Sequence, residues 1–128
     1  MTERAIPAAT LVVMRERGGG APELLMVERT ARMAFAGGAM VFPGGRIDDE
    51  DRALAEAFPE PDAAFRVAAI RETLEESGIP AGLAPDVDQG LAAQLQAGLH
   101  DGARFGALLG AHGLRVQPDA LTPFARWK

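Results

Sequence analysis

The chain reads as a single α/β domain spanning residues 1–128, and three observations predict it. Short apolar runs rich in β-branched residues fill the first third. A long helical pattern with one apolar and one acidic face occupies the middle. Ala- and Leu-rich helical segments separated by Gly and Pro follow it. At 128 residues the chain is large enough for one core and too short for two.

The first strand is expected over residues 9–15, Ala-Thr-Leu-Val-Val-Met-Arg. Gly18-Gly19-Gly20-Ala21-Pro22 then turns the chain, and residues 23–28 form its hairpin partner. Three glycines in a row can also cradle a phosphate, but no Lys-Ser/Thr follows, so a hairpin loop is the simpler reading. Met40-Val41-Phe42 is a third short strand delivering a Pro43-Gly44-Gly45 turn. Paired glycines there permit φ > 0 and close approach of the backbone to a ligand. Residues 48–58 carry Leu54 and Phe58 at helical spacing, and Pro59 and Pro61 end that segment.

The central helix starts near Asp62, a candidate N-cap. At about 100° per residue, Val67, Ile70 and Leu74 share one face, and Glu72, Glu75 and Glu76 lie roughly opposite. Neighbouring like charges repel by roughly a few tenths of a kcal/mol per pair on an isolated helix. Such a cluster is either a solvated acidic face or a set of oxygen ligands for a hard divalent cation. Residues 85–100 and 102–112 read as two further helices, the first with Leu91, Leu95 and Leu99 as its packing stripe. His100 and His112 fall at their ends, where His suits a helix C-terminus. Leu114-Arg115-Val116 is a last strand, followed by Pro118 and Pro123. Met26, Met33 and Met40 are expected as apolar filling.

The formal net charge of −5 argues against general affinity for nucleic acid or anionic membranes. There is no cysteine, which removes disulfides and thiolate metal sites and fits a reducing, cytoplasmic setting. The first residues, Met-Thr-Glu-Arg-Ala-Ile-Pro, do not resemble a signal peptide, and no apolar run approaches a membrane span of about 20 residues. Of the 13 basic residues only Lys128 is lysine, a bias that suits bidentate phosphate contacts or reflects genome composition.

Phe42-Pro43-Gly44-Gly45 and Arg71-Glu72-Thr73-Leu74-Glu75-Glu76-Ser77-Gly78-Ile79 together resemble the Nudix hydrolase signature, G-x5-E-x7-R-E-U-x-E-E-x-G-U, with U a bulky apolar residue. The second half matches at Arg71, Glu72, Glu75, Glu76, Gly78 and Ile79, while Thr73 stands where the family prefers an apolar residue. From Gly45 five residues lead to Asp51, in place of the signature's first Glu. Nineteen residues, 52–70, then separate Asp51 from Arg71 where the signature has seven, so 12 are inserted between loop and helix. Gly38-x3-Phe42-Pro43-Gly44-Gly45, with Arg29-Thr30 in register upstream, is similar to a motif of the coenzyme A diphosphatases of this superfamily. The motif's second arginine falls on Ala34, with Arg32 nearby but out of phase. With its lengthened box, the chain looks most like the branch that includes the peroxisomal acyl-CoA diphosphatase.

The resemblance implies a Nudix-type α/β/α sandwich around a mixed sheet, incomplete at the C-terminus and carrying a helical insertion. It implies a diphosphatase of nucleoside diphosphates linked to another moiety, with coenzyme A or acyl-CoA as the suggested substrate. Glu75, Glu76 and Arg71 are its candidate catalytic residues. Glu72, Glu75, Glu76 and the Gly44 carbonyl are the implied ligands of Mg²⁺ or Mn²⁺. Arg29, Arg32 and Gly45 are candidate substrate contacts, the two arginines fitting solvated loop positions equally well. Arg71 is also read as the structural partner of Asp51, and the general base is left unassigned, with Glu75 and Asp51 as candidates. A non-catalytic Nudix-like binding or regulatory module is the alternative. Family members continue past residue 128, and Leu121, Phe124 and Trp127 have no assigned partner, so an incomplete monomer or a homodimer is expected.

Overall fold

The computed structural model describes residues 7–28 and 39–123. Arg29, Arg32, Ala34, Gly38, Phe124 and Trp127 lie outside the described residues.

The chain opens with β1 (Ala8–Thr10) and β2 (Met14–Arg15), followed by β3 (Glu23–Leu24), β4 (Val27–Glu28), β5 (Met40–Val41) and β6 (Gly44–Arg46). The segment expected as one strand, 9–15, is divided because it changes partners. Its first part pairs with β6, in the register Ala8↔Arg46, Ala9↔Gly45 and Thr10↔Gly44. Its second part pairs with β3 across the glycine turn, Met14↔Leu24 and Arg15↔Glu23. Between them the backbone stays extended and bonded, Leu11 N–H donating to the Pro43 carbonyl at 2.9 Å and Leu25 N–H to the Val13 carbonyl at 3.0 Å. β4 pairs with β5, Val27↔Val41 and Glu28↔Met40. The side chains of Met14, Leu24 and Met40 are exposed, so Met40 does not fill the core.

Pro43-Gly44-Gly45 is not a turn. Gly44 and Gly45 form the start of β6, and neither has positive φ. Their lack of a Cβ serves close packing instead: a Cβ on Gly45 would run into the Glu72 carboxylate, and one on Gly44 would run into the Ala9 carbonyl.

The segment that leads into the insertion folds as α1 (Asp49–Ala55). Its cap is reciprocal, Asp51 N–H donating to Asp48 Oδ1 at 2.9 Å and Asp48 N–H donating to Asp51 Oδ2 at 3.0 Å. The central helix, α2 (Ala63–Ser77), packs on β1 and β6 and against α1. Asp62 occupies its N-cap position without a capping bond. The Asp62 carboxylate accepts from Arg66 Nε at 2.9 Å instead, a helical i,i+4 pair. α2 ends at Gly78, whose φ of +75° is the left-handed cap that glycine adopts without strain.

β7 (Leu83–Ala84), α3 (Gln89–His100), α4 (Phe105–Ala111) and β8 (Arg115–Val116) complete the fold with a 3₁₀ turn, Pro118–Ala120. β7 was not expected; two residues carry no periodicity, and only the pairing Leu83↔Val116 and Ala84↔Arg115 makes them a strand. The four described strand pairs are all antiparallel. Val67, Ile70 and Leu74 of α2 are fully buried in one core with Leu95, Leu99, Phe105, Leu109 and Val116. Leu121, expected to lack a partner, packs against this core. Its carbonyl accepts from Arg66 Nη1 at 2.6 Å, and the Pro118 carbonyl accepts from the same nitrogen at 2.8 Å. Among the described residues no helix is long and apolar enough to cross a membrane.

Candidate active site

Burying Val67, Ile70 and Leu74 aims the opposite face of α2 at β6 and the start of α1. Arg71 stands where these elements meet. Its guanidinium is nearly buried, and its five N–H donors have five acceptors. Nε and Nη2 each donate to Asp51 at 2.9 Å, a bidentate pair, and Nη2 also reaches the Arg46 carbonyl at 3.2 Å. Nη1 is shared by Glu72 Oε1 at 2.6 Å and Glu75 Oε2 at 3.2 Å. The hydrogen bonds and charge of Asp51 hold the guanidinium pKa still further above its ordinary range, against the cost of burial.

The Arg71–Asp51 pair is the contact anticipated from the sequence. Asp51 is fully buried, one residue type shorter than the signature's Glu, and α1 carries it to the guanidinium. Its two oxygens are occupied by Arg71 and the Asp48 N–H, so it has no access to a water molecule and is removed as a general base. Asp48 adds a second acid 3.4 Å from Arg71. That neighbour was missed, although the Asp48-x-x-Asp51 capping pattern signals it.

Two of the three glutamates dock on β6, and the third, Glu75, stays with Arg71. Glu72 lies against Gly45. Glu76 Oε1 accepts from the Gly44 N–H at 2.8 Å, which ties the helix to the strand. In β6 the bonds Leu11 N–H to Pro43 O and Ile47 N–H to Pro7 O make Thr10↔Gly44 a non-hydrogen-bonded pair of the ladder. Both the N–H and the carbonyl of Gly44 therefore point away from β1, on the side where Glu76 sits. Thr73, the departure from the apolar preference, is fully buried, and its hydroxyl donates to the Ala69 carbonyl at 2.7 Å.

Burial pushes the Glu72 carboxyl up to about 7; Glu75 and Glu76 add to that rise, and the Arg71 bond and charge oppose it. The Glu76 carboxyl is also raised, because its end is tucked against β6 and loses water although the residue as a whole is exposed; the Gly44 N–H opposes this. Glu72 and Glu75 share Arg71 while Glu76 turns to Gly44, so the carboxylates outnumber the one cation and offer hard oxygen donors of the kind a divalent cation takes. Among the described residues the side chains have not converged on one point as a finished cage. Glu72 Oε1, Glu75 Oε2 and Glu76 Oε1 are turned to Arg71 and Gly44, and within the described residues no hydrogen bond engages their second oxygens. Arg29 and Arg32 fall outside the described residues.

This combination of fold and acidic helix defines a class. The NUDIX domain family matches residues 5–94, and the chain belongs to it. The chain is 34% identical over 87 residues to the Nudix hydrolase NudL of Citrobacter koseri, covering 63% of this chain and 38% of that protein. It is 41% identical over 56 residues to nudix hydrolase 7 of Caenorhabditis elegans, covering 44% of this chain and 17% of that one. The crystal structure of a NUDIX hydrolase from Alicyclobacillus acidocaldarius superposes with a TM-score of 0.75 at 31% identity, over 92% of this chain and 59% of the other. The chain thus spans less than two thirds of each relative's length, and its fold is the α/β fold of Nudix hydrolases.

Two outcomes follow from the geometry. Asp51→Asn should lower the unfolding free energy by about 3 kcal/mol, the lower end for breaking a buried pair, because Glu72 and Glu75 still share the guanidinium. Urea denaturation measures it, and a loss under about 1 kcal/mol, typical of an exposed pair, contradicts the burial argument. Because the folded Glu72 pKa of about 7 lies above its ordinary 4.5, the group stabilises the fold below pH 4.5. That contribution declines above pH 4.5 and is lost as the pH rises through about 7. The ¹³C carboxyl shift of Glu72 in metal-free protein should titrate near 7; a midpoint near 4.5 rejects the assignment.

Proposed function

We propose that this protein hydrolyses the diphosphate link of a nucleoside diphosphate joined to another moiety, with Mg²⁺ or Mn²⁺ bound at the acidic face of α2. The observation that carries this reading is the docking of Glu72 and Glu76 onto β6, beside a Gly44 carbonyl directed away from the β1 ladder. Glu72, Glu75, Glu76 and that carbonyl are the proposed ligands. A bound cation there neutralises diphosphate oxygens and lowers the pKa of a coordinated water.

The remaining work is positioning, which dominates phosphoryl chemistry. Arg71 has its five N–H groups engaged inside the protein, so its role is to position Glu72 and Glu75 rather than to touch substrate. With Asp51 buried, Glu75 is the remaining candidate base, half-exposed and with a carboxylate hydrogen-bonded only to Arg71 among the described residues. Gly45 admits the Glu72 carboxylate against β6, since any side chain there would displace it.

For substrate we propose coenzyme A or an acyl-CoA, on the strength of Arg29-Thr30 and Gly38-x3-Phe42-Pro43-Gly44-Gly45, with Arg29 and Arg32 as phosphate contacts. Ala34 replaces the motif's second arginine, so phosphate binding relies on fewer cations.

Hydrolysis should require Mg²⁺ or Mn²⁺, stop in EDTA, and fall by about 10²-fold or more in kcat for Glu76→Gln, with the fold intact by circular dichroism. Undiminished turnover in EDTA or by Glu76→Gln rejects the mechanism. In a substrate panel, CoA or acyl-CoA should give a higher kcat/KM than nucleoside triphosphates, nucleotide sugars or dinucleoside polyphosphates. A preference for one of the latter removes the CoA assignment alone. Stoichiometric Mn²⁺ binding without turnover of any diphosphate identifies the binding module instead.

A further inference from the structure

The last turn of α2 carries Glu75 and Glu76, and its carbonyls have no partner within the helix. The Leu74 carbonyl is satisfied by Gly78 N–H at 2.8 Å. The Glu75 carbonyl is not reached by Ile79 N–H, which donates to Ser77 Oγ at 3.2 Å. Instead, two side chains of α3 converge on it. Gln96 Nε2 donates at 3.0 Å and His100 Nε2 lies at 2.7 Å. A carbonyl oxygen only accepts but has two lone pairs, so both contacts can be made together and the His100 proton belongs on Nε2. Gln96 and His100 are one turn apart on α3, which presents both to the same atom. Gly78 belongs to the same arrangement: a Cβ there would come to 3.0 Å from Gln96 Oε1. His100 thus serves the end of a neighbouring helix in addition to standing at the end of its own.

We infer that Gln96 and His100 are positioning residues that clamp the C-terminal turn of α2 through the Glu75 carbonyl and so hold Glu75 beside Arg71 and Glu76 against β6. The inference rests on the ligand roles proposed above only for its consequence on metal affinity; the clamp itself is a property of the metal-free protein. Neither residue belongs to the core. His100 is exposed and Gln96 half-buried, so replacing them leaves the packing of Leu95 and Leu99 in place.

The test compares wild type with Gln96→Leu/His100→Leu and with His100→Gln, whose amide can keep a donor near the Nε2 position. In metal-free protein, amide hydrogen exchange of Ser77 and Gly78 should be about 10-fold faster in the double variant, with Val67 to Ile70 unchanged. His100→Gln should stay close to wild type. Mn²⁺ affinity, read by electron paramagnetic resonance, should weaken roughly 10-fold in the double variant and recover in His100→Gln, the size expected for a partner that orients a ligand. Exchange at Ser77 and Gly78 equal to wild type in the double variant overturns the clamp. Faster exchange with unchanged Mn²⁺ affinity overturns its link to Glu75 and Glu76. A wild type that takes up no Mn²⁺ refutes the proposed metal site, and the exchange comparison still decides the clamp.

Discussion

A buried guanidinium with no spare donor organises this site. Arg71 leaves α2, meets both oxygens of Asp51 from α1, takes the Arg46 carbonyl at the end of β6, and divides its last nitrogen between Glu72 and Glu75. β6, α1 and α2 are thereby fixed to one planar group. Bidentate geometry matters more here than charge, because a lysine offers a point charge without the fork. Burying the pair is favourable only when the hydrogen bonds are complete, and here they are.

Charge then accumulates where the arginine cannot neutralise it. Arg71 is matched against Asp48, Asp51, Glu72 and Glu75. Glu76 makes no hydrogen bond to Arg71 and, among the described residues, is held by the Gly44 N–H alone. The raised pKa of Glu72 expresses the same imbalance, with burial as its first cause and the neighbouring carboxylates adding to it. A cation relieves both, and metal binding and proton release at Glu72 are then coupled. The glycine strand contributes by absence, since Gly45 has no side chain to keep the Glu72 carboxylate off the backbone.

Much of this was legible in the residues themselves. The 3.6-residue period separated the buried stripe Val67, Ile70, Leu74 from the acidic face, and both lie where the period put them. The five-residue spacing after Gly45 singled out Asp51, whose partner is Arg71. Contacts that depend on register or on helix packing were not legible. β7 exists only through its partner β8, and the break in the 9–15 strand exists only because two other strands claim its halves. The glycines were read as a turn because the local signal for a turn and for close packing in a strand is the same residue. His100 gave no sign that it serves another helix, since nothing in residues 89–100 encodes which carbonyl α3 will face.

The central claim is that the acidic face of α2, fixed by Arg71 to β6, is the protein's divalent-cation site. Paramagnetic broadening of backbone amide signals by substoichiometric Mn²⁺ tests it most directly. The account predicts that Gly44, Gly45, Glu72, Glu75 and Glu76 broaden first, while Asp86 and Asp88 stay sharp. Broadening centred on the exposed acids Asp49 and Asp86, with Gly44 and Glu76 unaffected, would contradict it.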